Sequence, residues 1–478
     1  MESLLWRLVF RFGKWPATLE ELDLTYEQLD PLKRVGFVSV DSRSRVSLCP
    51  ELIEHGSVAN VKLVLENHAR GVSDWKVFVT EPEKKVDSIQ IDFHSLKSAV
   101  EEHKSLPTLE IMNFAPKTLE LYAFKLQQGF EALGSGIKSQ TVIKGSEAFL
   151  SALDEDVDFS IVQIHGCETE DPLFPQKFPG KRVCLIHRPE EFLLRHGLAG
   201  VEFIDQEAHA VVVFGKSIVP LYQRLFPLKP VVAIPHGFFE SGHLDESRLE
   251  PDSVVFVGSV TTWGEMRYLS DLLELSKPLL KSGKKVVVYA GGKFDKRSRV
   301  TEFISSEQVW VLDHHHVEES FLNREFSDEN TFRNWIFEKS HGRVVVNLSP
   351  FSDDSLSSWE NAIIDFNLQA YREILKAGAP KVEASGTLHK SGGPSIAVVI
   401  DCPAMRDILE VEGMNWLLIP YKSGAFDFTA AAEKVIKLID NPILRREIIS
   451  GNIDASKKLT MREVAFAHVQ LLRTLKSL

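Results

Sequence analysis

A chain of 478 residues is too long for one ordinary hydrophobic core, so two or three domains are expected. Its composition, 44% hydrophobic and 26% charged, is that of a soluble globular protein, and no apolar run approaches the roughly 18–20 residues of a membrane span. A net charge of −12 argues against a broad nucleic-acid-binding surface, and four scattered cysteines (Cys49, Cys167, Cys184, Cys402) with no CxxC fit a reducing cytoplasm rather than a disulfide framework or a Cys-based zinc site.

The chain opens on an amphipathic pattern. Leu4, Leu5, Leu8, Val9 and Phe12 recur at helical spacing between Glu2, Arg7 and Arg11, and no small-residue cleavage site follows. This predicts a helix of a small domain rather than a secretory signal, with a membrane-surface helix as the alternative. Leu19 to Val35 carries two short helical patterns, the second opened by Thr25 as N-cap before Tyr26-Glu27-Gln28-Leu29. Gly36 to Val40 alternates, Asp41-Ser42-Arg43-Ser44 turns, and Arg45 to Leu48 alternates back. Helices followed by a β-hairpin resemble a winged helix. Residues 1–55 hold seven Lys/Arg against nine Asp/Glu, so a packing or partner-docking module is favoured over a DNA reader. The polar stretch Val86 to Leu106, with Glu101-Glu102-His103-Lys104-Ser105, marks the end of this N-terminal module, residues 1–105.

Strand–helix alternation follows. Strands are predicted at Thr108–Phe114, Thr141–Ile143, Phe159–Ile164, Val183–Ile186 and Ala210–Phe214, with a helix over Lys117–Leu133 ended by Gly134. Near-continuous apolar strands separated by helices imply a parallel sheet covered on both faces. Val231 to Gly237 resembles an interdomain hinge, after which the pattern restarts. Strands are predicted at Ser253–Val257, Lys285–Ala290, Val309–Asp313, Arg343–Leu348, Ala397–Ile400 and Trp416–Pro420, with a helix over Met266–Lys281. The fold class is therefore α/β: two facing Rossmann-like domains with a small α+β module in front.

Several motifs then fall in a telling order. Ile234-Pro235-His236-Gly237 is followed by Val254-Val255-Phe256-Val257-Gly258-Ser259, by Asp365 and Glu373 separated by seven residues, by Ile374-Leu375-Lys376-Ala377-Gly378-Ala379-Pro380, by Leu417-Leu418-Ile419-Pro420, and by Asn441-Pro442-Ile443-Leu444-Arg445-Arg446. Over about residues 108–478 this order resembles nucleotide-sugar glycosyltransferases of the GT-B fold, of the family 4 or spore-maturation-protein branches. The resemblance implies an acceptor-side domain over 106–236 plus the C-terminal helix 461–478, and a nucleotide-sugar-binding domain over 237–460. It departs from the family in two places: the first acid is Asp rather than Glu, and the glycine usually found between the acids is missing.

The resemblance also assigns roles. His187 ends the strand Val183–Ile186 and would contact the transferred sugar, where an imidazole can hydrogen-bond a hydroxyl or shuttle a proton. His165, at the end of the preceding strand, is second choice. Glu373 would accept from the donor ribose hydroxyls and Asp365 would sit nearer the sugar, so His187 and Asp365 are the catalytic candidates. Gly258 and Ser259 would line the donor. The family's phosphate-binding Arg and Lys are replaced here by Ser259 and Trp263, which leaves Arg267, Lys293 or Arg372 to hold the diphosphate. The glycine-rich loop expected after the first strand is absent; Asn113-Phe114-Ala115-Pro116 stands there, with Lys117 offering a charge at a helix start. Asp313-His314-His315-His316 cannot aim three adjacent imidazoles at one ion from a regular strand, so no metal site is expected. The ordinary alternative for each of these groups is a strand-end or surface side chain satisfied by backbone or solvent.

The sequence thus points to a hexosyltransferase, retaining by resemblance, that needs no cofactor. It would take a UDP- or GDP-linked sugar as donor and a glycan, lipid, protein or nucleic acid as acceptor. Two other readings stand beside it: a catalytically degenerate GT-B subunit acting as a scaffold, and a transferase acting on nucleic acid with residues 1–105 as its reader. Residues 1–105 are also the candidate surface for a docked partner.

Overall fold

The computed structural model describes residues 2–9, 15–22, 24–55, 58–72, 108–134, 136–164, 177–187, 192, 200–216, 219–238, 253–259, 274–291, 344–347, 395–400, 403–422 and 425–477. It is an α/β structure built on two parallel sheets, with a small α+β unit at the N-terminus.

The N-terminal unit runs α1 (Glu2–Val9), β1 (Ala17–Thr18), α2 (Leu19–Leu22), α3 (Tyr26–Arg34), β2 (Val38–Val40), β3 (Arg45–Leu48), α4 (Pro50–His55) and α5 (Val58–Ala69). Its three strands are antiparallel in the order β1-β3-β2. Thr25 caps α3 as its sequence position predicts: its hydroxyl accepts from the Gln28 N–H, and the Gln28 side chain accepts from the Thr25 N–H, closing a capping box. The predicted helix at the N-terminus is α1, and Leu5, Leu8 and Val9 are buried, so its apolar stripe faces protein. The sequence reading did not foresee α4, α5 or the two-residue β1.

The first parallel sheet comprises β4 (Leu109–Ala115), β5 (Ile137–Ile143), β6 (Phe159–Ile164), β7 (Lys181–Ile186), β8 (Ala210–Val213) and β9 (Val231–Ala233), in the order β5-β4-β6-β7-β8-β9. Around it lie α6 (Glu120–Glu131, entered through a 3₁₀ turn at Lys117–Leu119), α7 (Ala148–Ala152), α8 (residues 200–207) and α9 (Val219–Leu225). The β5 strand begins four residues earlier than predicted. It is an edge strand, so Lys138 and Gln140 keep water on one side, and with Ser139 between them they hide the apolar signal. The segment read as a hinge begins as β9; only its latter part, 234–237, is irregular.

The second sheet comprises β10 (Ser253–Ser259), β11 (Lys285–Gly291), β12 (Val344–Asn347), β13 (Ile396–Ile400) and β14 (Leu417–Ile419), in the order β11-β10-β12-β13-β14. The described part of the helix predicted over Met266–Lys281 is α10, residues 274–281. The predicted strand at Val309–Asp313 lies outside the described residues. Further along come α11 (Pro403–Leu409), the β15 (Tyr421–Lys422) and β16 (Ala425–Phe426) hairpin, α12 (Phe428–Ile439), α13 (Pro442–Ser456) and α14 (Met461–Ser477). Asn441 caps α13 by accepting from the Leu444 N–H at 3.1 Å, with Pro442 in the first turn where its missing N–H is harmless. Buried Asn452 pins α13 to the sheet: it donates to Ser395 O at 3.0 Å and Asn415 O at 3.1 Å, and accepts from the Asn415 N–H at 2.7 Å.

The last helix, α14, packs on α6 of the first sheet. A Cβ on Gly129 of α6 would lie 2.3 Å from the Met461 carbonyl oxygen, so this crossing requires glycine. The Phe238 N–H donates to Leu459 O at 2.8 Å, so the strand leaving β9 is bound to the chain entering α14. At the far end, Lys476 pairs with Asp158 at 2.8 Å and holds its carboxyl below the usual carboxylate range, while the Lys181 ammonium donates to Leu475 O at 2.5 Å.

Strand alternation divides the first sheet between two apolar clusters. Ile111, Ile161, Val183, Leu185, Ala210, Val212 and Val232 join α6 and α14, together with Ala397 and Val399 of β13. Met112, Phe114, Val162, Cys184, Ile186, Val211, Val213 and Val231 join α7, α8, α9 and the whole N-terminal unit. Lys62 of α5 also pairs with Glu202 of α8 at 2.6 Å. Burial pushes the Cys184 thiol up to about 12. Among the described residues, no helix is long and apolar enough to cross a membrane.

Candidate functional site at the carboxyl edge of the first sheet

Successive side chains of a strand alternate between faces. On the face toward α6, five strands run apolar and then end on a different kind of residue. The series are Leu109-Ile111-Asn113, Phe159-Ile161-Gln163, Val183-Leu185-His187, Ala210-Val212-Phe214 and Val232-Ile234-His236. Because the strands are parallel, all five final positions lie toward the carboxyl edge, in a row that steps diagonally across the sheet: Asn113 is level with Ile161 and Gln163 with Leu185. All five are buried; His187 and His236 are each 2% exposed.

The row is closely connected. His187 Nε2 lies 3.1 Å from Gln163 Oε1, Gln163 Nε2 donates to Asn113 Oδ1 at 2.7 Å, and Asn113 Nδ2 donates to Ala123 O at 3.1 Å. The His187 N–H donates to Ile164 O at 2.8 Å, which holds the residue against the end of β6. Tyr122 of α6 roofs the imidazoles, edge-on to His187 at 4.8 Å and to His236 at 4.7 Å. Phe214 stacks on His236 at 3.6 Å with the rings 20° apart. The two imidazoles are 5.2 Å apart. Burial keeps the Tyr122 phenol protonated far above its ordinary range, so in this wall it is a neutral hydroxyl.

His187 therefore stands where the sequence places it, one residue beyond β7. Its neighbours were not foreseen. Asn113 lies inside β4, within the predicted strand Thr108–Phe114, but was noted only as standing where a glycine-rich loop was expected; His236 was read only as part of a hinge motif, and Gln163 and Tyr122 were not singled out. Asn113, Gln163 and His236 share one mark, a polar residue at the last inward position of an otherwise apolar buried strand, which shows only when the strands are laid side by side; Tyr122, on α6, carries no such mark. Lys117 does begin a helical turn after β4, and it is paired with Glu120.

In the second sheet, Gly258 and Ser259 are the last two residues of β10, in register with Ala290 and Gly291 of β11. Chain order reverses direction beside β10, since β11 lies on one side and β12 on the other. The first sheet reverses in the same way beside β4, between β5 and β6. Ligands of open α/β sheets bind outside the carboxyl ends at such switch points. Gly258 and Ser259 lie at one of them, and the Asn113–Gln163 hydrogen bond spans the other. Arg267, Lys293, Asp365, Arg372, Glu373, His165 and the Asp313–His316 run lie outside the described residues.

Elements leaving the two carboxyl edges touch. The Lys216 N–H, just past β8, donates to Asp407 Oδ2 at 2.8 Å, and the Lys216 ammonium pairs with Glu410. Asp407 belongs to α11, which follows β13. Burial raises the Asp407 carboxyl above its usual range against the opposing pull of Lys216. Among the described residues there is no group of three or more His, Cys, Asp or Glu that could hold a metal ion.

No protein-family model matches the sequence, and no curated protein matches it. Solved structures are similar at low identity. A glycosyltransferase from Rickettsia africae is 10% identical with a TM-score of 0.46, over 78% of this chain and 99% of that one. Anabaena HepE in complex with UDP and glucose is 14% identical with a TM-score of 0.44, over 77% and 100%. TarM is 13% identical with a TM-score of 0.40 over 66% of this chain, which spans only 54% of TarM.

Proposed function

We propose that the chain is a GT-B glycosyltransferase that moves a hexose from a nucleoside-diphosphate sugar to an acceptor hydroxyl. The observation that carries this reading is the buried His187 row at a carboxyl edge that meets, through Lys216 and Asp407, the elements leaving the carboxyl edge of a second parallel sheet. In this reading residues 106–236 with 461–478 form the acceptor side, and 237–460 hold the donor. Gly258 and Ser259 line the donor at the switch point of β10, where backbone N–H groups and the absence of a side chain at Gly258 suit close approach of a diphosphate. The C1–O bond to the nucleoside diphosphate breaks, the C1–O bond to the acceptor forms, and the hydroxyl proton departs with the diphosphate. His187 touches the transferred sugar. Glu373 holds the ribose, Asp365 lies nearer the sugar, and Arg267, Lys293 or Arg372 balances the diphosphate charge. Retention of configuration follows the motif resemblance, and a cytoplasmic setting follows the cysteine pattern.

The N-terminal unit has the element order and the β1-β3-β2 sheet of a winged helix, and we read it as one. It does not favour a nucleic-acid acceptor. Arg34 on α3 is paired with Asp30, and Arg45 on the β2–β3 hairpin with Asp41 at 2.8 Å, so two of its cations are already neutralised. Its apolar contact with the first sheet makes it a structural part of the acceptor side.

The test is a thermal-shift panel of nucleoside diphosphates and their sugars without added metal. A ligand at about 100 times its dissociation constant stabilises by about 2.7 kcal/mol, which moves the midpoint of a large domain by several degrees. A shift with one base, followed by transfer that is lost in Glu373→Ala and His187→Ala, supports the enzyme. Absence of any shift overturns it in favour of the degenerate scaffold.

A further inference from the structure

We propose that Asn113 and Gln163 are positioning residues that fix His187 in the tautomer carrying its proton on Nε2, an inference that rests on reading His187 as the sugar-facing residue. The relay starts at a backbone carbonyl, which can only accept. Asn113 presents one end of its amide to Ala123 O at 3.1 Å, so that end must be the NH2. The same NH2 reaches Thr141 Oγ1 at 3.2 Å, and the Thr141 hydroxyl in turn donates to Ala123 O at 3.2 Å. Asn113 Oδ1 is therefore the end that faces Gln163, 2.7 Å away, and as an acceptor it requires the Gln163 NH2. This leaves Gln163 Oε1 toward His187 Nε2 at 3.1 Å, and a carbonyl oxygen there requires N–H on Nε2. Reversing either amide would set two oxygens or two NH2 groups against each other inside the protein.

Burial gives the relay its force. Asn113 and Gln163 are fully buried, so neither amide can exchange its partner for water. They come from β4 and β6, the two strands that flank the switch point, and the hydrogen bond between them is anchored to the sheet register. The neutral His187 ring accordingly holds its lone pair on Nδ1. That atom is the one that accepts a hydrogen bond from a sugar hydroxyl, while Nε2–H stays bonded to Gln163. Gln163 never touches the substrate in this account; it acts through the ring it orients.

The experiment is nitrogen-15 NMR of the full chain labelled at histidine, with His187→Gln supplying the assignment. In the unmodified protein His187 should show a protonated Nε2 and an unprotonated Nδ1. In Gln163→Leu the two nitrogens should move toward averaged values. Transfer activity should fall roughly 100-fold in Gln163→Leu, the order of loss expected when a contact group is misplaced, with the donor KM unchanged. An Nδ1–H tautomer in the unmodified protein overturns the proposal, and so does an unchanged tautomer in Gln163→Leu. If Gln163→Leu does not fold, the measurement on the unmodified protein alone decides. The tautomer is read without turnover, so failure of the glycosyltransferase reading and failure of the relay give different results.

Discussion

Gly129→Ala tests whether the C-terminal helix truly docks on the first sheet. Gly129 lies inside α6, and for an isolated helix alanine is favoured over glycine by about 1 kcal/mol. The structure opposes that gain. A Cβ at Gly129 would stand 2.3 Å from Met461 O, 2.9 Å from Met461 C and 3.0 Å from Ala465 Cβ. Two of these obstacles are backbone, so α14 must move as a unit. Overpacking of this kind costs about 1–3 kcal/mol, and rigid neighbours place it at the upper end. The net effect is a loss of about 2 kcal/mol, or about 4–8 °C for a domain of this size. Gly451→Ala is the matched control. Gly451 also sits inside a helix, but its nearest obstacle, Gly413 O, is 3.4 Å away, so the propensity gain of about 1 kcal/mol should survive. Differential scanning calorimetry gives the midpoints, and hydrogen exchange along α14 locates the loosened element. If Gly129→Ala matches or exceeds the parent midpoint, α14 does not pack on α6 in solution and the description of that crossing is wrong.

His468 on α14 predicts an acid-sensitive docking. Its Nδ1 donates to Val464 O at 2.8 Å, Nε2 has no hydrogen-bond partner among the described residues, and burial lowers its pKa to about 4. An unfolded histidine titrates near 6.5, so the folded state binds fewer protons between the two values. Stability is full above about pH 6.5, declines as pH falls, and by about pH 4 has lost about 3 kcal/mol, an effect that His468→Leu should abolish in urea midpoints measured across that range. Removal of residues 1–72 should leave an aggregating protein rather than a separable transferase, because it strips apolar cover from a sheet face that includes Phe114, Val162 and Ile186. A soluble, monodisperse truncation would show that the N-terminal unit folds apart from that face. Lys216→Glu sets a third carboxylate beside Asp407 and Glu410, so hydrogen exchange should quicken at α11, and an unchanged exchange rate would deny the contact.

How far the sequence was legible depended on which signal each element carried. Buried parallel strands such as Phe159–Ile164 are apolar on both faces and announced themselves, and caps such as Thr25 and Asn441 marked helix starts. The edge strand β5 did not, because Lys138 to Thr141 faces water on one side. The two-residue β1 is too short to carry a period, and α4 and α5 were not anticipated. At the site, His187 was legible as a histidine ending an apolar strand. Gln163 was not, because within Phe159-Ser160-Ile161-Val162-Gln163-Ile164 it looks like a tolerated polar residue until the neighbouring strands are laid beside it. Its meaning is a property of the row, and a row exists only once register is known.

That row also limits how a ligand can approach. One face of the first sheet is closed by α6 and α14, the other by α7, α8, α9 and the N-terminal unit. A molecule acted on by His187 must therefore come to the carboxyl edge, the side from which Lys216 reaches α11. On the α6 face of β4 and β6, the polar residues Asn113 and Gln163 come after the apolar ones, toward that edge. A row that served only to fill space would be most stable as hydrophobic side chains of the same volume, since a buried polar network that is fully satisfied is at best about neutral against an apolar replacement. Keeping Asn113, Gln163 and His187 buried together, with each donor matched to an acceptor from Ala123 O outward, serves orientation more than stability. Asn113→Leu with Gln163→Leu should release the His187 ring and, because the buried Nε2–H loses its partner, cost about 1–3 kcal/mol in unfolding; a much steeper loss of stability would mark the row as structural.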